Sequence, residues 1–187
     1  MIENVLIMTF PQNSVAYEAY SKLKTLHSRG QVDLDQLAVI ENVAGEGFRT
    51  NEAVDLTGSD RLFAGGLIGG LIGIIGGPLG MLLGWTTGAM IGGVGDMREV
   101  DEAVTTFDRA ASVLTEETVG VLAVGTEYSE SVINDLVERD LGGTIVRFPV
   151  SVVREEIEEA KKAEKALKKE ARRQWVDRKL KKEEKND

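Results

Sequence analysis

Apolar residues along this chain follow two rhythms. Short uninterrupted runs, Val5-Leu6-Ile7-Met8-Thr9-Phe10, Leu37-Ala38-Val39-Ile40, Val119-Gly120-Val121-Leu122-Ala123-Val124 and Thr144-Ile145-Val146-Arg147-Phe148, have the length and bounding turn residues of β-strands. Elsewhere the spacing changes to three and four. Val15, Ala19, Leu23 and Leu26 predict a helix over about 14–28, with Ser14 as its N-cap and Gly30 as its stop. Val132, Ile133, Leu136 and Val137 predict another over about 129–140, punctuated by Ser129 and Gly142. Phe48 to Leu56 reads as a hairpin partner of the second strand.

These signals form two strand-helix-strand units of similar order. They imply an α+β fold on a ferredoxin-like split βαβ core made from residues 1–56 and 115–150. Two additions extend it: an insertion, 57–114, holding a glycine-zipper helical hairpin and a following helix, and a long charged C-terminal helix, 151–187.

The insertion departs most from a soluble pattern. From Leu62 to Gly95 there is no charged residue, and 13 of the 34 positions are glycine. A glycine costs a helix interior about 1 kcal/mol relative to alanine, so helices this rich in it need close packing to form. Gly65, Gly69, Gly73 and Gly77 recur every fourth residue, as do Gly80, Gly84, Gly88 and Gly92, while Gly66 and Gly70 make an adjacent row. Such spacing lines one groove of a helix with small residues, where two backbones approach closely. The other faces carry Leu67, Ile68, Leu71, Ile72, Ile74 and Ile75, then Leu79, Met81, Leu82, Leu83, Met90 and Ile91. A helix apolar nearly all round is expected in lipid or inside protein. Gly76-Gly77-Pro78 marks the bend, with Pro78 supplying no amide donor. Each arm has 16 or 17 residues, about 25 Å of helix against a hydrocarbon core of about 30 Å. Arg61 and Arg98 bracket both feet, which the positive-inside tendency places on the cytoplasmic side.

The opening strand ending Thr9-Phe10-Pro11, the lead-in Glu52-Ala53-Val54-Asp55-Leu56-Thr57-Gly58, the glycine-rich hairpin and the closing strand together resemble the bacterial domain-of-unknown-function family 1269, whose members are commonly described as predicted membrane proteins. The resemblance covers most of residues 1–150. It implies architecture and membrane association, with an envelope or stress role by analogy alone, and carries no activity onto particular residues.

Charge refines the picture. The net of -9 divides into 9 basic and 21 acidic side chains over residues 1–153, and 13 basic and 10 acidic over 154–187. An acidic body disfavours nucleic acid, and any contact with anionic lipid runs through the tail. There Val153, Ile157, Ala160, Leu167 and Ala171 draw a narrow seam broken by Glu164, with glutamates preceding lysines at favourable helical spacing. Lys168, Lys169, Arg172, Arg173 and Trp175 are the tail's candidate contact residues, to the acidic body of a neighbour or to lipid. A solvated single helix accounts for the same pattern.

Catalytic signatures are missing from the sequence. There is no cysteine, hence no disulfide or thiolate chemistry, and the N-terminus reads as a strand rather than a signal peptide. Gly93-Val94-Gly95 imitates a dinucleotide fingerprint but meets Arg98 at the third glycine position. His27, the sole histidine, falls at a helix C-terminus where a cationic imidazole suits the carbonyl dipole. Asp96, Glu99 and Asp101 fit an N-terminal cap cluster better than a calcium loop. The expectation is a non-enzymatic homo-oligomer without cofactor, metal or small-molecule substrate, assembled and anchored to a membrane through the hairpin, its α/β domain cytoplasmic. The alternative is a soluble cytoplasmic ring, cage or filament with the hairpins buried at its centre.

Overall fold

In the computed structural model, residues 2–57, 66–83 and 105–183 are described, with Pro78, Leu82, Leu83, Thr105 and 175–183 described by backbone alone. The chain is α+β. Strands β1 (Glu3–Thr9), β2 (Asp33–Val43), β3 (Gly47–Asp55), β4 (Val119–Thr126) and β5 (Thr144–Pro149) form one sheet in the order β3-β2-β4-β1-β5. Every neighbouring pair is antiparallel. Two strand-helix-strand units interleave, since β1 and β2 flank β4 while β4 and β5 flank β1. The β2–β3 hairpin adds the outer strand.

Period-two alternation divides the strands between two cores. Leu6, Met8, Leu37, Val39, Val121 and Ala123 point to one face. There they meet Ala16, Ala19, Tyr20 and Leu23 of helix α1 (Asn13–Ser28), and Ile133 and Leu136 of the second crossover. That crossover is α5 (Glu130–Asn134) continued by a π-helical stretch, Asp135–Asp140. Val5, Ile7, Ala38, Ile40, Leu122, Val124 and Phe148 point to the other face. Its cover comes from α2 (Leu67–Ile75), α3 (Pro78–Leu83), α4 (Thr105–Val113) and α6 (Val150–Glu183).

Local signals act mostly as the sequence implies. Gly30 and Gly142 adopt the left-handed conformation that ends a helix, φ 68° and 64°, and Ser129 caps α5 by accepting the Ser131 amide. Ser14 does not cap α1: the helix starts at Asn13, Gln12 is the extended cap residue, and its side chain makes no capping bond. The Leu34 amide donates to His27 Nδ1 at 3.1 Å. This bond ties the end of α1 to the start of β2.

The tail is also corrected. α6 begins immediately after β5, and Val150, Val153, Ile157 and Ala160 are buried in the same core as α2 and the sheet. Ala163 and Leu167 pack against the same core, so α6 belongs to the fold as far as Leu167. Truncation after Leu167 is expected to keep unfolding cooperative and stability within about 1 kcal/mol, whereas truncation after Val153 removes the buried Glu156, Ile157 and Ala160 side chains and costs about 2–5 kcal/mol. Urea unfolding of the two truncated chains distinguishes these outcomes.

Candidate functional site

The glycine-rich segment meets the body where β3 ends. Asp55 accepts from both the amide and the hydroxyl of Thr57, an Asx-type turn that takes the chain off the sheet edge. Helix α2 then returns across the sheet. Its N-terminus has no side-chain cap of its own. Instead Gln36, on β2, accepts the Ile68 amide at 3.2 Å, and a Cβ at Gly66 would collide with that Gln36 amide group. Glycine at 66 thus lets a strand side chain cap the helix lying over it.

One side of α2 is spoken for within the subunit. Ile68, Leu71, Ile74 and Ile75 are buried. Burying side chains of this kind contributes about 1.5–3 kcal/mol each, which outweighs the roughly 1 kcal/mol cost of each of Gly69, Gly70 and Gly73 in the helix. Gly70 faces α6: a Cβ there would stand 3.2 Å from Ile157 Cδ1. The close glycine contact thus runs along the Gly66–Gly70 row, against Gln36 and α6 of the same chain.

The predicted association row divides differently. Gly73 is exposed, with nothing within 4 Å of its Cβ position among the described residues. Gly69 is half-buried, as are Leu67 and Ile72 beside it, and Met81 on α3 is 60% exposed. Gly77 and Gly80 serve the bend. A Cβ at Gly77 would lie 2.5 Å from the Gly73 carbonyl oxygen, and one at Gly80 would strike the carbonyls of Ile74 and Ile75. Helix α2 ends at Ile75 with Gly76 as its C-cap residue, and α3 begins at Pro78. Gly65, Gly84, Gly88 and Gly92 lie outside the described residues, as do Arg61, Gly93–Gly95, Asp96, Arg98, Glu99 and Asp101.

Polar anchors hold this cover in ways the sequence did not advertise. Glu156, 7% exposed, accepts from the Thr106 amide at 3.1 Å and from its hydroxyl at 2.9 Å, so α6 caps the start of α4. Glu164, which interrupts the tail's seam, turns one carboxylate oxygen toward the bend, 2.8 Å from where a Gly77 Cβ would stand. That oxygen is buried without a hydrogen bond, and the other lies 3.9 Å from Lys168 Nζ. The contact of α6 with the bend is consequently less favourable than its contact with α2. Lys168, Lys169, Arg172 and Arg173 are exposed on α6, and Trp175 follows within the helix.

Charged groups elsewhere make structural pairs. Arg147 holds Glu127 in a two-pronged ion pair of 2.7 and 2.8 Å and donates to Asn134 at 2.7 Å, with Glu127 only 3% exposed. The Glu127 carboxylate, set against an opposing burial cost, raises the Arg147 pKa. The pair joins β5, the end of β4 and α5. At the start of β1, burial and then the Asp35 carboxylate raise the Glu3 pKa, while Arg154 opposes them. Asp35 sits at the register shift between Leu34 and Gln36. Among the described residues no group of three or more His, Asp or Glu is placed to hold a metal ion, and no helix is long and apolar enough to cross a membrane.

No protein-family model matches the chain, and neither the curated proteins nor the solved structures yield a match.

Two outcomes are expected in the isolated subunit. Gly70→Leu should cost about 1–3 kcal/mol by forcing Ile157 aside, whereas Gly73→Ala should stabilise by up to about 1 kcal/mol, both measured by denaturant unfolding. For Glu3 the raised pKa means that the folded chain holds this proton more tightly than the unfolded one. Its stabilising effect is present at acidic pH and is lost as pH rises through the raised value. Glu3→Gln should therefore stabilise the protein at neutral pH and flatten stability-pH curves just above the usual carboxylate range.

Proposed function

We propose that this chain is a non-enzymatic, membrane-associated protein that assembles with copies of itself through the outward side of its glycine-rich hairpin. The observation that carries the reading is the division of α2 into a covered and an open side. Its large apolar residues are held by the sheet and α6, while Gly73 is exposed, with no described atom within 4 Å of its Cβ position, next to half-buried Ile72. The 34-residue charge-free stretch supports burial beyond one subunit, and the resemblance to a family of predicted membrane proteins supports the membrane by analogy. The positive-inside tendency of Arg61 and Arg98 supports a cytoplasmic body. The order β2-β4-β1-β5 with its interleaved crossovers supports a ferredoxin-like split βαβ core, to which β3, the hairpin and α6 are added.

A second reading, a soluble homo-oligomer with hairpins at its centre, is favoured by one specific observation. The buried residues of α2 find their cover inside the chain rather than outside it. Sedimentation of membranes after high-salt and carbonate washes separates the readings: retention with the pellet supports the first, and a discrete detergent-free oligomer by light scattering supports the second.

Gly73→Leu tests the association surface under either reading. Among the described residues nothing stands within 4 Å of its Cβ position, so folding should be retained and the helix slightly favoured, while assembly should weaken at least tenfold. Normal assembly of a folded Gly73→Leu protein would rule out the proposed surface.

A further inference from the structure

Beyond Leu167 the body gives α6 no cover among the described side chains. This half of the helix is strongly one-signed: residues 161–182 hold 11 basic and 3 acidic side chains, against 1 basic and 4 acidic over 150–160. Lys161, Lys165, Lys168, Lys169 and Arg172 follow steps of three and four, so they share one stripe of the helix. All five are exposed. Local pairing neutralises little of this, since Lys161 meets Glu158 and Lys168 meets Glu164, while Lys162, Lys165, Lys169, Arg172 and Arg173 have no ion pair among the described residues.

The position of this stripe matters as much as its charge. α6 lies on the same sheet face as α2 and α3. Lys161, Lys165 and Lys168 flank Glu164, whose carboxylate abuts the Gly77 bend, and Met81 is exposed on the helix that leaves that bend. Through Glu164, the bend therefore adjoins the start of the row of cations. That pairing of chemistries fits a bilayer surface, where headgroup phosphates neutralise the cations while an apolar group enters the boundary with the acyl chains. A nucleic acid would use the cations and leave the apolar bend without a role. A second copy's acidic body would do the same.

We propose that the distal half of α6 is a docking face for the anionic headgroups of a lipid bilayer, acting together with the exposed side of the hairpin bend. This rests on the membrane reading above and adds to it the lipid class and the residues that select it. The acidic body does not defeat the attraction, because its field is screened within about 8 Å at physiological ionic strength and α6 carries its cations outward over roughly 30 Å.

The test uses the full chain with vesicles of phosphatidylcholine alone and vesicles in which about a third of the lipid is phosphatidylglycerol. Anionic vesicles should bind at least tenfold more tightly, with an affinity that falls as salt rises. Reversing Lys165, Lys168, Lys169 and Arg172 to glutamate should weaken that binding by roughly a hundredfold or more, and Met81→Gln should weaken it further at fixed charge. Because all four basic positions are exposed, the unfolding midpoint should hardly move, and circular dichroism verifies that the variant is folded. Equal binding to both vesicles would overturn the docking face and leave the membrane reading standing. Binding to neither would remove both. Undiminished anionic binding by the reversed variant would also overturn it. Two further results would reassign the stripe: lipid-free oligomers that dissolve on charge reversal, to a second copy, and single-stranded RNA retained independently of Met81, to nucleic acid.

Discussion

Two-sided burial of the sheet is the constraint from which the rest of this architecture follows. Val5 through Met8, Leu37 through Ile40 and Val121 through Val124 are buried without interruption, so both faces of the central strands are apolar and each requires a cover. The two crossover helices can cover only one face, because both crossovers pack on the same side. The second face is left to the insertion and to α6, and the glycine-rich segment thereby becomes part of the fold as well as an addition to it.

The cover is stabilised by apolar burial and located by three polar contacts. Gln36 fixes the start of α2, Glu156 fixes the start of α4, and Asn42, buried on β2, donates to the Leu114 carbonyl at 2.8 Å where α4 gives way to the loop before β4. Each supplies a partner for a backbone group that a helix end leaves unsatisfied. None requires sequence proximity, since the partners come from another element. Glycine has a complementary task at 66 and 70, where any side chain would displace the Gln36 cap or the Ile157 methyl.

Much of the α+β layout was legible. Strand runs and helical spacing marked the ordered elements, and Gly30, Ser129 and Gly142 end or start helices where their conformational and capping preferences indicate. Ser14 misled because a good capping residue one position inside the first turn looks the same in sequence as one at its start. The burial of α2 within its own subunit also had a signal: uninterrupted apolar strands imply two covered faces. Attention to the glycine spacing alone obscured it, since a small-residue groove looks identical whether it receives another chain or α6. The trans caps and the π-helical stretch are products of tertiary packing and leave no local pattern. For the proposed association surface, the row was legible but its occupancy was not, because only the fold shows that Ile157 stands against Gly70 while no described atom stands against Gly73.

The burial of α2 on the sheet limits what the proposed membrane contact could involve. Ile68, Leu71, Ile74 and Ile75 cannot lie on the sheet and in lipid at once. Moving them into a bilayer would expose Val5, Ile7, Ala38 and Leu122 to water, so deep insertion of the first arm is a competition between two solvents for the same helix. Shallow contact through the outward side carries no such conflict. On the proposed membrane contact, the covered face of α2 would act as a depth stop, coupling the extent of penetration to the integrity of the sheet beneath.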